Sequence, residues 1–198
     1  MTTVPLVSIV IPAFSPRFFA SALQSALEQS HAQLEVVVCD DSTDGEIKAI
    51  VDSFEGQGRA RVRYQRNPRQ LGFQRNLVQG LALASGEYVK VLCDDDRLFS
   101  DCIAQQAQVL CEQADVSLVL AHRLLSDADN FILPMRLQNL RIAVFDSLYQ
   151  GDDMLSILDG RPISFLGNFA AALMRTADAR QWLDALTQEG EGFTALLD

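Results

Sequence analysis

Short runs of apolar residues alternate along the chain with longer segments in which apolar residues recur every three or four positions. The runs Val7–Ile11, Glu35–Cys39 and Tyr88–Leu92 show almost no polar alternation, which is typical of strands covered on both faces. Val62–Gln65 and Val116–Ala121 are further short strands, and helical spacing predicts helices at 17–30, 47–54, 73–84 and 103–111. This order predicts βαβ units and an α/β fold with a mostly parallel central sheet and helices on both faces.

The pattern is weaker after His122. Residues 123–145 have no clean period, which leaves open an irregular segment or an extended hairpin. Asp152–Leu158 is predicted to be a helix and Phe169–Met174 a late strand. Thr176 is expected to cap a final helix. Near the start of the chain, Pro12 is expected to end the first strand, since proline has no backbone N–H to donate.

The composition is that of a globular domain with a sizeable core. The chain has 198 residues, of which 48% are hydrophobic and 21% charged. Its net charge of −10 argues against nucleic-acid binding, which requires a basic surface. No apolar run approaches the roughly 20 residues that span a membrane, and no basic segment precedes the first apolar run as in a signal peptide. The four cysteines form no CxxC pair, so reduced thiols in the cytoplasm are expected.

Acidic residues directly follow two of the predicted strands. Asp40 and Asp41 follow the second strand, and Asp94–Asp96 follow the strand at Tyr88–Leu92. Because parallel strands end at one edge of a sheet, these five carboxylates are expected to meet there and to repel one another. A divalent cation such as Mg²⁺ or Mn²⁺, bridging to a phosphorylated ligand, would relieve the repulsion. The alternative is a set of solvated turns whose acids cap the following helices.

Several signatures of competing functions are absent. The sequence has no GxxxxGK[ST] loop and no GxGxxG after its first strand, which disfavours a P-loop enzyme and a dinucleotide dehydrogenase. A receiver-like signalling domain would need an acid pair after the first strand, where Pro12, Ala13 and Phe14 stand.

The first half of the chain resembles the family 2 glycosyltransferases. Five segments match in the family's order and spacing: VSIVIPAF (Val7–Phe14), SALEQS (Ser25–Ser30), LEVVVCDDSTDG (Leu34–Gly45), LGFQRNLVQGLALASGEYV (Leu71–Val89) and LCDDD (Leu92–Asp96). The resemblance implies a GT-A (nucleotide-diphospho-sugar transferase) fold. It also implies transfer of a sugar from a UDP-, GDP- or dTDP-sugar to the hydroxyl of a saccharide or lipid-linked acceptor, with inversion at the anomeric carbon.

The family also implies a cofactor and a setting. The cofactor is Mn²⁺ or Mg²⁺, and the process is polysaccharide or glycoconjugate biosynthesis in the cytoplasm, either free or peripheral to the inner face of a membrane, with no integral membrane segment. Residues 1–198 then form one domain, with a nucleotide-sugar-binding half at about 1–122 and an acceptor half at about 123–198. Family members usually continue past the position where this chain ends, which leaves open a truncated or non-catalytic nucleotide-sugar-binding domain.

Matching positions imply roles for the residues around the nucleotide. By resemblance, Pro12, Ala13 and Phe14 line the base, and Asp41 hydrogen-bonds it. Arg75 matches the family position near the base and the diphosphate.

The acidic run after the central strand matches the family's DxD-type motif. Asp94 takes the position near the ribose, Asp95 that of the metal ligand and Asp96 that of the adjoining acid, and an Asp94-x-Asp96 form of the motif remains open. Cys93 is a departure, because many family members have an aspartate there, and Asp94 is the residue expected to compensate for it.

The general base for the acceptor hydroxyl is expected late in the chain. The family places an acid about a hundred residues past the metal motif, and the candidates here are Glu189, Glu191 and Asp198. Asp198 is chosen because it follows an apolar stretch at that spacing from Asp95.

Overall fold

The computed structural model describes residues 4–129, 131–133, 146–150 and 171–189. Within these ranges, six strands and five helices follow the predicted order. The strands are β1 (Val7–Ala13), β2 (Leu34–Asp40), β3 (Arg61–Arg66), β4 (Tyr88–Val91), β5 (Leu118–Leu120) and β6 (Ala172–Arg175). The helices are α1 (Pro16–Leu27), α2 (Glu46–Ser53), α3 (Phe73–Leu83), α4 (Cys102–Glu112) and α5 (Thr176–Glu189).

All six strands form one sheet in the order β3-β2-β1-β4-β6-β5. The first four of these are parallel to one another, as the alternation of strands and helices predicts. β6 runs antiparallel between β4 and β5, where Leu173 pairs with Lys90 on one side and Val119 on the other. One inner strand of the sheet therefore comes from late in the sequence.

Two groups of buried apolar side chains cover the two faces of the sheet. α1, α2 and α4 pack on one face, where Phe19 and Ile47 belong to the same core as Ile9 of β1. α3 and α5 pack on the other face, where Leu77 and Val10 share a second core. Successive residues of β1 point to opposite faces, so a strand buried on both sides is apolar at nearly every position, and Ser8 is the polar residue of β1. The prediction of helices on both faces is confirmed.

Pro12 lies inside β1 and does not end it, contrary to the expectation from its missing N–H. Val10 O accepts from Leu92 N, so even-numbered residues of β1 direct their backbone groups toward β4. β4 ends at Val91, which pairs with Val10, so Pro12 lies past the end of the β4 ladder. No ladder donor is needed at that position, and proline is tolerated.

The start of β4 is packed closely against β1. A Cβ at Gly86 would lie 2.7 Å from Leu6 O, from Ser8 N and from Ser8 Oγ, so a side chain does not fit there. Thr176, expected to cap the last helix, is the first residue of α5, and its Oγ1 donates to Gly86 O at 2.7 Å. Its hydroxyl therefore joins the start of α5 to the segment that leads into β4.

The weakly patterned region is described only in part, and the predicted helix Asp152–Leu158 lies outside the described residues. An isolated antiparallel bridge joins Ser126 and Ile132, and Leu133 N donates to Leu125 O at 2.8 Å. This antiparallel pairing favours a hairpin, one of the two alternatives that the sequence leaves open. Within the described ranges, no helix combines the length and the apolar character that crossing a bilayer requires.

Candidate functional site

A cavity of about 410 Å³ lies at the carboxyl ends of β1, β2 and β4. This is the edge of an open α/β sheet at which ligands bind. The volume is within the range of small-molecule sites, about 300–1,000 Å³. The end of β1, four loops and the start of α3 line it with ten residues: Pro12, Phe14, Asp41, Gln70, Gly72, Phe73, Asn76, Cys93, Asp94 and Asp95.

Asp41 lines the cavity and also holds the loop that precedes α3. Its Oδ1 accepts from Asn67 Nδ2 and from Leu71 N, both at 2.7 Å, and its Oδ2 accepts from Gly72 N at 2.8 Å. Gly72 has φ +80°, a conformation that favours glycine. Each carboxylate oxygen has about two acceptor positions, so Oδ2 keeps one for a ligand.

Asp40, the neighbouring acid, is fully buried and does not line the cavity. Its Oδ2 accepts from the Tyr64 hydroxyl at 2.5 Å, and its Oδ1 accepts from Ser42 N at 2.9 Å. Burial, followed by the hydrogen bond to Asp40 and the charge of that carboxylate, raises the pKa of Tyr64, so the phenol remains a donor. The expected repulsion among five acids therefore does not extend to Asp40, because donors of the chain itself occupy its oxygens.

Asp94 joins the turn after β4 to the loop after β1. Its Oδ2 accepts from Phe14 N and from Ser15 N, each at 2.7 Å. Ser15 is also the N-cap of α1, with its Oγ accepting from Arg17 N at 3.4 Å. One oxygen of Asp94 thus accepts from two backbone donors of the loop after β1.

Asp95 and Asp96 form a cluster with Cys93. Asp96 N donates to Cys93 O at 3.2 Å, which closes a turn and brings the three side chains to one side. Cys93 Sγ and one carboxylate oxygen from each acid lie within 4.8 Å of one another. Burial, followed by the charges of Asp96, Asp95 and Asp94, raises the pKa of the Cys93 thiol to about 12.

Two aromatic side chains border the cavity, and both are large apolar groups left open to solvent. Phe14, from the loop after β1, is 57% exposed, and Phe73, the first residue of α3, is 42% exposed. Exposed aromatic faces at a cavity mouth favour stacking of a flat ligand such as a nucleobase.

The other residues singled out from the sequence lie farther from the cavity or outside the described ranges. Ala13 is buried in β1 and contributes its carbonyl, which accepts from Asp41 N at 2.9 Å. Arg75 is exposed on α3 and does not line the cavity. Asp198 and Glu191 lie outside the described residues, and Glu189 is the last residue of α5.

Sequence reasoning assigned no site role to five of the lining residues: Gln70, Gly72, Phe73, Asn76 and Cys93. Asn76 was detectable, since it is a polar residue on the buried face of α3 next to Leu77. Its Nδ2 donates to Cys39 O and its Oδ1 accepts from Asn67 Nδ2, both at 2.9 Å. Gln70 lies in a polar loop that gives no such signal.

A family model described as glycosyl transferase family 2 matches residues 8–178. The chain is 31% identical over 106 residues to the GalNAc(5)-diNAcBac-PP-undecaprenol beta-1,3-glucosyltransferase of Campylobacter jejuni, a match that covers 52% of this chain and 34% of the relative. The chain therefore spans about a third of the length of that curated relative.

Two solved structures share the fold. The mannosyltransferase PcManGT from Pyrobaculum calidifontis, in complex with GDP-Man and Mn²⁺, superposes with a TM-score of 0.61 at 20% identity, covering 93% of this chain and 47% of that one. S. aureus TarS 1-349 in complex with UDP-GlcNAc superposes with a TM-score of 0.62 at 18% identity, covering 89% and 47%. These likenesses confirm the predicted GT-A fold.

Proposed function

The chain belongs to glycosyl transferase family 2, and from that premise we propose that it transfers a sugar from a nucleotide-sugar donor to an acceptor hydroxyl, with inversion at the anomeric carbon. The observation that carries the proposal is the cavity itself, in which an exposed phenylalanine, a partnered aspartate and an acidic turn meet at the sheet edge. Neighbours of the same fold are seen with UDP-GlcNAc and with GDP-Man and Mn²⁺, which supports a donor of this class.

Different residues of the cavity contact different parts of the nucleotide-sugar. Phe14 offers a face on which the base stacks, and Asp41 Oδ2 accepts a hydrogen bond from an N–H of the base. Asp94, with Oδ2 occupied by loop amides, uses its other oxygen for the ribose hydroxyls. The diphosphate and sugar then point toward Asp95, an exposed residue that also lines the cavity. Arg75, exposed on the same helix as Phe73, is placed to attract the anionic ligand.

The acidic turn fits a divalent cation, because Asp95 and Asp96 bring carboxylate oxygens close together beside the cavity. Carboxylate oxygens are ligands of Mg²⁺ and Mn²⁺, which also bind phosphate oxygens. When bound, such an ion neutralises negative charge on the diphosphate leaving group as a Lewis acid. The hydrogen bond from Asp96 N to Cys93 O closes the turn and fixes the carboxylates of Asp95 and Asp96 relative to β4.

The acceptor hydroxyl needs a base that removes its proton as the anomeric carbon is attacked. Asp198 stays the candidate, on the spacing from Asp95 alone. Asp198→Asn is expected to lose transfer and to keep nucleoside diphosphate affinity. Transfer at the parent rate would remove Asp198 from the mechanism.

The test of the proposal is a calorimetric screen of UDP, GDP and dTDP, followed by measurement of nucleoside diphosphate release from the matching nucleotide-sugars. Phe14→Ala is expected to weaken nucleotide binding about tenfold, which corresponds to about 1.4 kcal/mol of lost stacking. Phe99→Ala, at a phenylalanine that is 64% exposed and does not line the cavity, is the matched control. Equal affinity of the two variants for every nucleotide would contradict the proposed donor site.

Asp95→Ala tests the cation separately. Asp95 is exposed, so its loss is expected to leave the fold intact and to remove the dependence of nucleotide affinity on Mn²⁺ or Mg²⁺. Asp115→Ala, at another exposed acid, is the control. Unchanged metal dependence in Asp95→Ala would move the cation elsewhere.

The second candidate is a nucleotide-sugar-binding part of a longer protein, favoured by the short span of the chain relative to its relatives. It predicts tight nucleotide-sugar binding with no release of nucleoside diphosphate. Release with Mn²⁺ present rules it out.

A further inference from the structure

Cys93 contributes sulfur to a cluster that otherwise contains carboxylate oxygen. Its Sγ and one oxygen each of Asp95 and Asp96 lie within 4.8 Å of one another, close enough for one ion to contact all three. Among the residues that the structure describes, this is the one place where three potential metal ligands come so close. The turn that joins them is fixed by the hydrogen bond from Asp96 N to Cys93 O.

Asp94 does not take the place of a third carboxylate. Its Oδ2 is 2.7 Å from the backbone nitrogens of Phe14 and Ser15 in the loop after β1, and its oxygens are not part of the close group. The third ligand atom that the turn presents is therefore the sulfur of Cys93, which lines the same cavity as Asp95.

We propose that Cys93 is a thiolate ligand of the cation at this turn and that its sulfur shifts the preference of the site from Mg²⁺ toward thiophilic divalent cations such as Co²⁺, Zn²⁺ and Cd²⁺. This rests on the proposed function in taking the nucleotide-sugar cavity as the place where a cation is needed. Thiolate is a soft ligand that selects softer metals, whereas carboxylate and water suit Mg²⁺. A site with two carboxylates and one thiolate therefore prefers softer metals than a site built of oxygen ligands alone.

Binding changes one covalent bond. The S–H bond of Cys93 breaks, its proton leaves to solvent, and the sulfur donates an electron pair to the divalent cation, with no change of oxidation state. A coordinated thiol is deprotonated by the charge of the ion itself. The two carboxylates supply the remaining negative charge, so the ion and its three ligands carry a net charge of about −1.

The other cysteines provide internal controls, because all four are free. Cys39 is buried and packs beside Gly80, and Cys102 donates to Gln106 Oε1 at 3.4 Å. Cys111 is exposed on α4 and lies 3.7 Å from the Tyr88 hydroxyl. In the described part of the chain none of the three belongs to a metal-ligand group.

The experiment titrates the full chain with Cd²⁺ and with Co²⁺ in the absence of nucleotide and records thiolate-to-metal charge-transfer absorption. We expect a band that saturates at one ion per chain in the parent and in Cys111→Ser. We expect no band in Cys93→Ser or in Asp95→Ala, and Cd²⁺ affinity at least about tenfold weaker in both. A band of parent intensity in Cys93→Ser would overturn the proposal.

Cys93→Asp is the complementary variant, since it converts the cluster to oxygen ligands alone. Calorimetry is expected to show that the ratio of Cd²⁺ affinity to Mg²⁺ affinity falls by about tenfold or more relative to the parent. A ratio equal to that of the parent would overturn the proposal. Thermal unfolding of each variant without metal identifies any variant that fails to fold. If a Cys93 variant fails to fold, Cys93→Ala is used in its place.

Nucleotide binding separates this inference from the proposed function. If nucleoside diphosphate binds with Mg²⁺ and no charge-transfer band forms, the sulfur ligand is wrong and the donor site stands. If the band forms and no nucleotide or nucleotide-sugar binds, the sulfur ligand stands and the proposed function is wrong.

Discussion

Asp94 Oδ2 lies 2.7 Å from the backbone nitrogen of Phe14, and this hydrogen bond connects the turn after β4 with the loop after β1. The same oxygen accepts from Ser15 N, so a single carboxylate orients the start of α1 and the aromatic wall of the cavity. The cavity wall is therefore held in place by the chain itself, and a ligand that binds there does not have to order it.

The first prediction concerns this connection. Asp94→Ala is expected to remove protection of the Phe14 and Ser15 amides from native-state hydrogen exchange and to lower stability by about 1–3 kcal/mol, since bonds to a charged acceptor are lost. Asp94→Asn keeps one oxygen acceptor and should lose less. Asp95→Ala is the control, and it should leave both amides protected, because Asp95 is not an acceptor for either. Equal exchange in Asp94→Ala and the parent would contradict the connection.

The second prediction concerns pH and Glu35. Burial opposes ionisation of Glu35, but hydrogen bonds from the Ser8 hydroxyl and from the backbone and hydroxyl of Ser85, with the charge of Arg63, hold its pKa below the ordinary value of 4.5. The stabilisation is thus fully present above pH 4.5 and is lost as the pH falls through the lower folded-state pKa.

Glu35→Gln should therefore lower the free energy of unfolding by about 1–3 kcal/mol at pH 7, and the gap to the parent should narrow below pH 4.5. Urea denaturation at several pH values measures this. Glu55→Gln, at an exposed acid, is the control and should stay close to the parent throughout. A gap that is constant with pH would argue against the role of the charge.

The third prediction concerns Gln106, which is buried on α4. Its Oε1 accepts from Lys90 Nζ at 2.7 Å, and its Nε2 donates to Val119 O at 2.8 Å and to Ala171 O at 2.9 Å. Gln106→Leu leaves a buried ammonium without this acceptor and is expected to cost about 3 kcal/mol.

A double-mutant cycle isolates the pair. The double variant Lys90→Met, Gln106→Leu should lose about 0.5–3 kcal/mol less stability than the sum of the losses in the two single variants. The reason is that it removes both partners of the hydrogen bond, so no buried polar group remains there without its partner. Burial lowers the pKa of Lys90. The unfolded chain therefore binds more protons between the two pKa values, and the stability of the parent relative to Lys90→Met should rise as the pH approaches 10.5. Additive single effects would contradict the pairing.

The fourth prediction concerns the close approach before β4. Gly86→Ala would place a methyl group 2.7 Å from backbone atoms of Leu6 and Ser8, and is expected to destabilise the fold by about 1–3 kcal/mol or more. Gly45→Ala is the control, because nothing lies within 4 Å of a Cβ there and its φ is −105°. Thermal unfolding compares the two, and similar midpoints would contradict the packing argument.

The order of strands and helices in the first part of the chain follows from periodicity, because strands buried on both faces leave a continuous apolar run. The observed strand Val7–Ala13 extends the predicted one through Pro12, and that extension depends on where the neighbouring strand ends, which is information that no local pattern contains. The placement of β6 between β4 and β5 is likewise a matter of tertiary pairing.

The sequence predicts the sheet edge at which the candidate site lies, but it does not predict the hydrogen bonds that its residues make. The positions after β2 and β4 identified Asp41, Asp94 and Asp95, which the structure brings to one cavity. The difference between Asp40 and Asp41 depends on the phenol of Tyr64 and the amides of the loop before α3, which fold back from elsewhere in the chain. Composition and spacing do not encode such donors.

β6 fills the space between β4 and β5, and its residues 172–175 are translated after the other five described strands. In the folded sheet β4 pairs with β1 on one side and with β6 on the other, and β6 is the strand with which β5 pairs. Strand edges without a partner pair readily with other chains. A nascent chain stopped before residue 172 would therefore lack the strand that covers one edge of β4 and one edge of β5, and the sheet cannot be completed before that late segment has been translated.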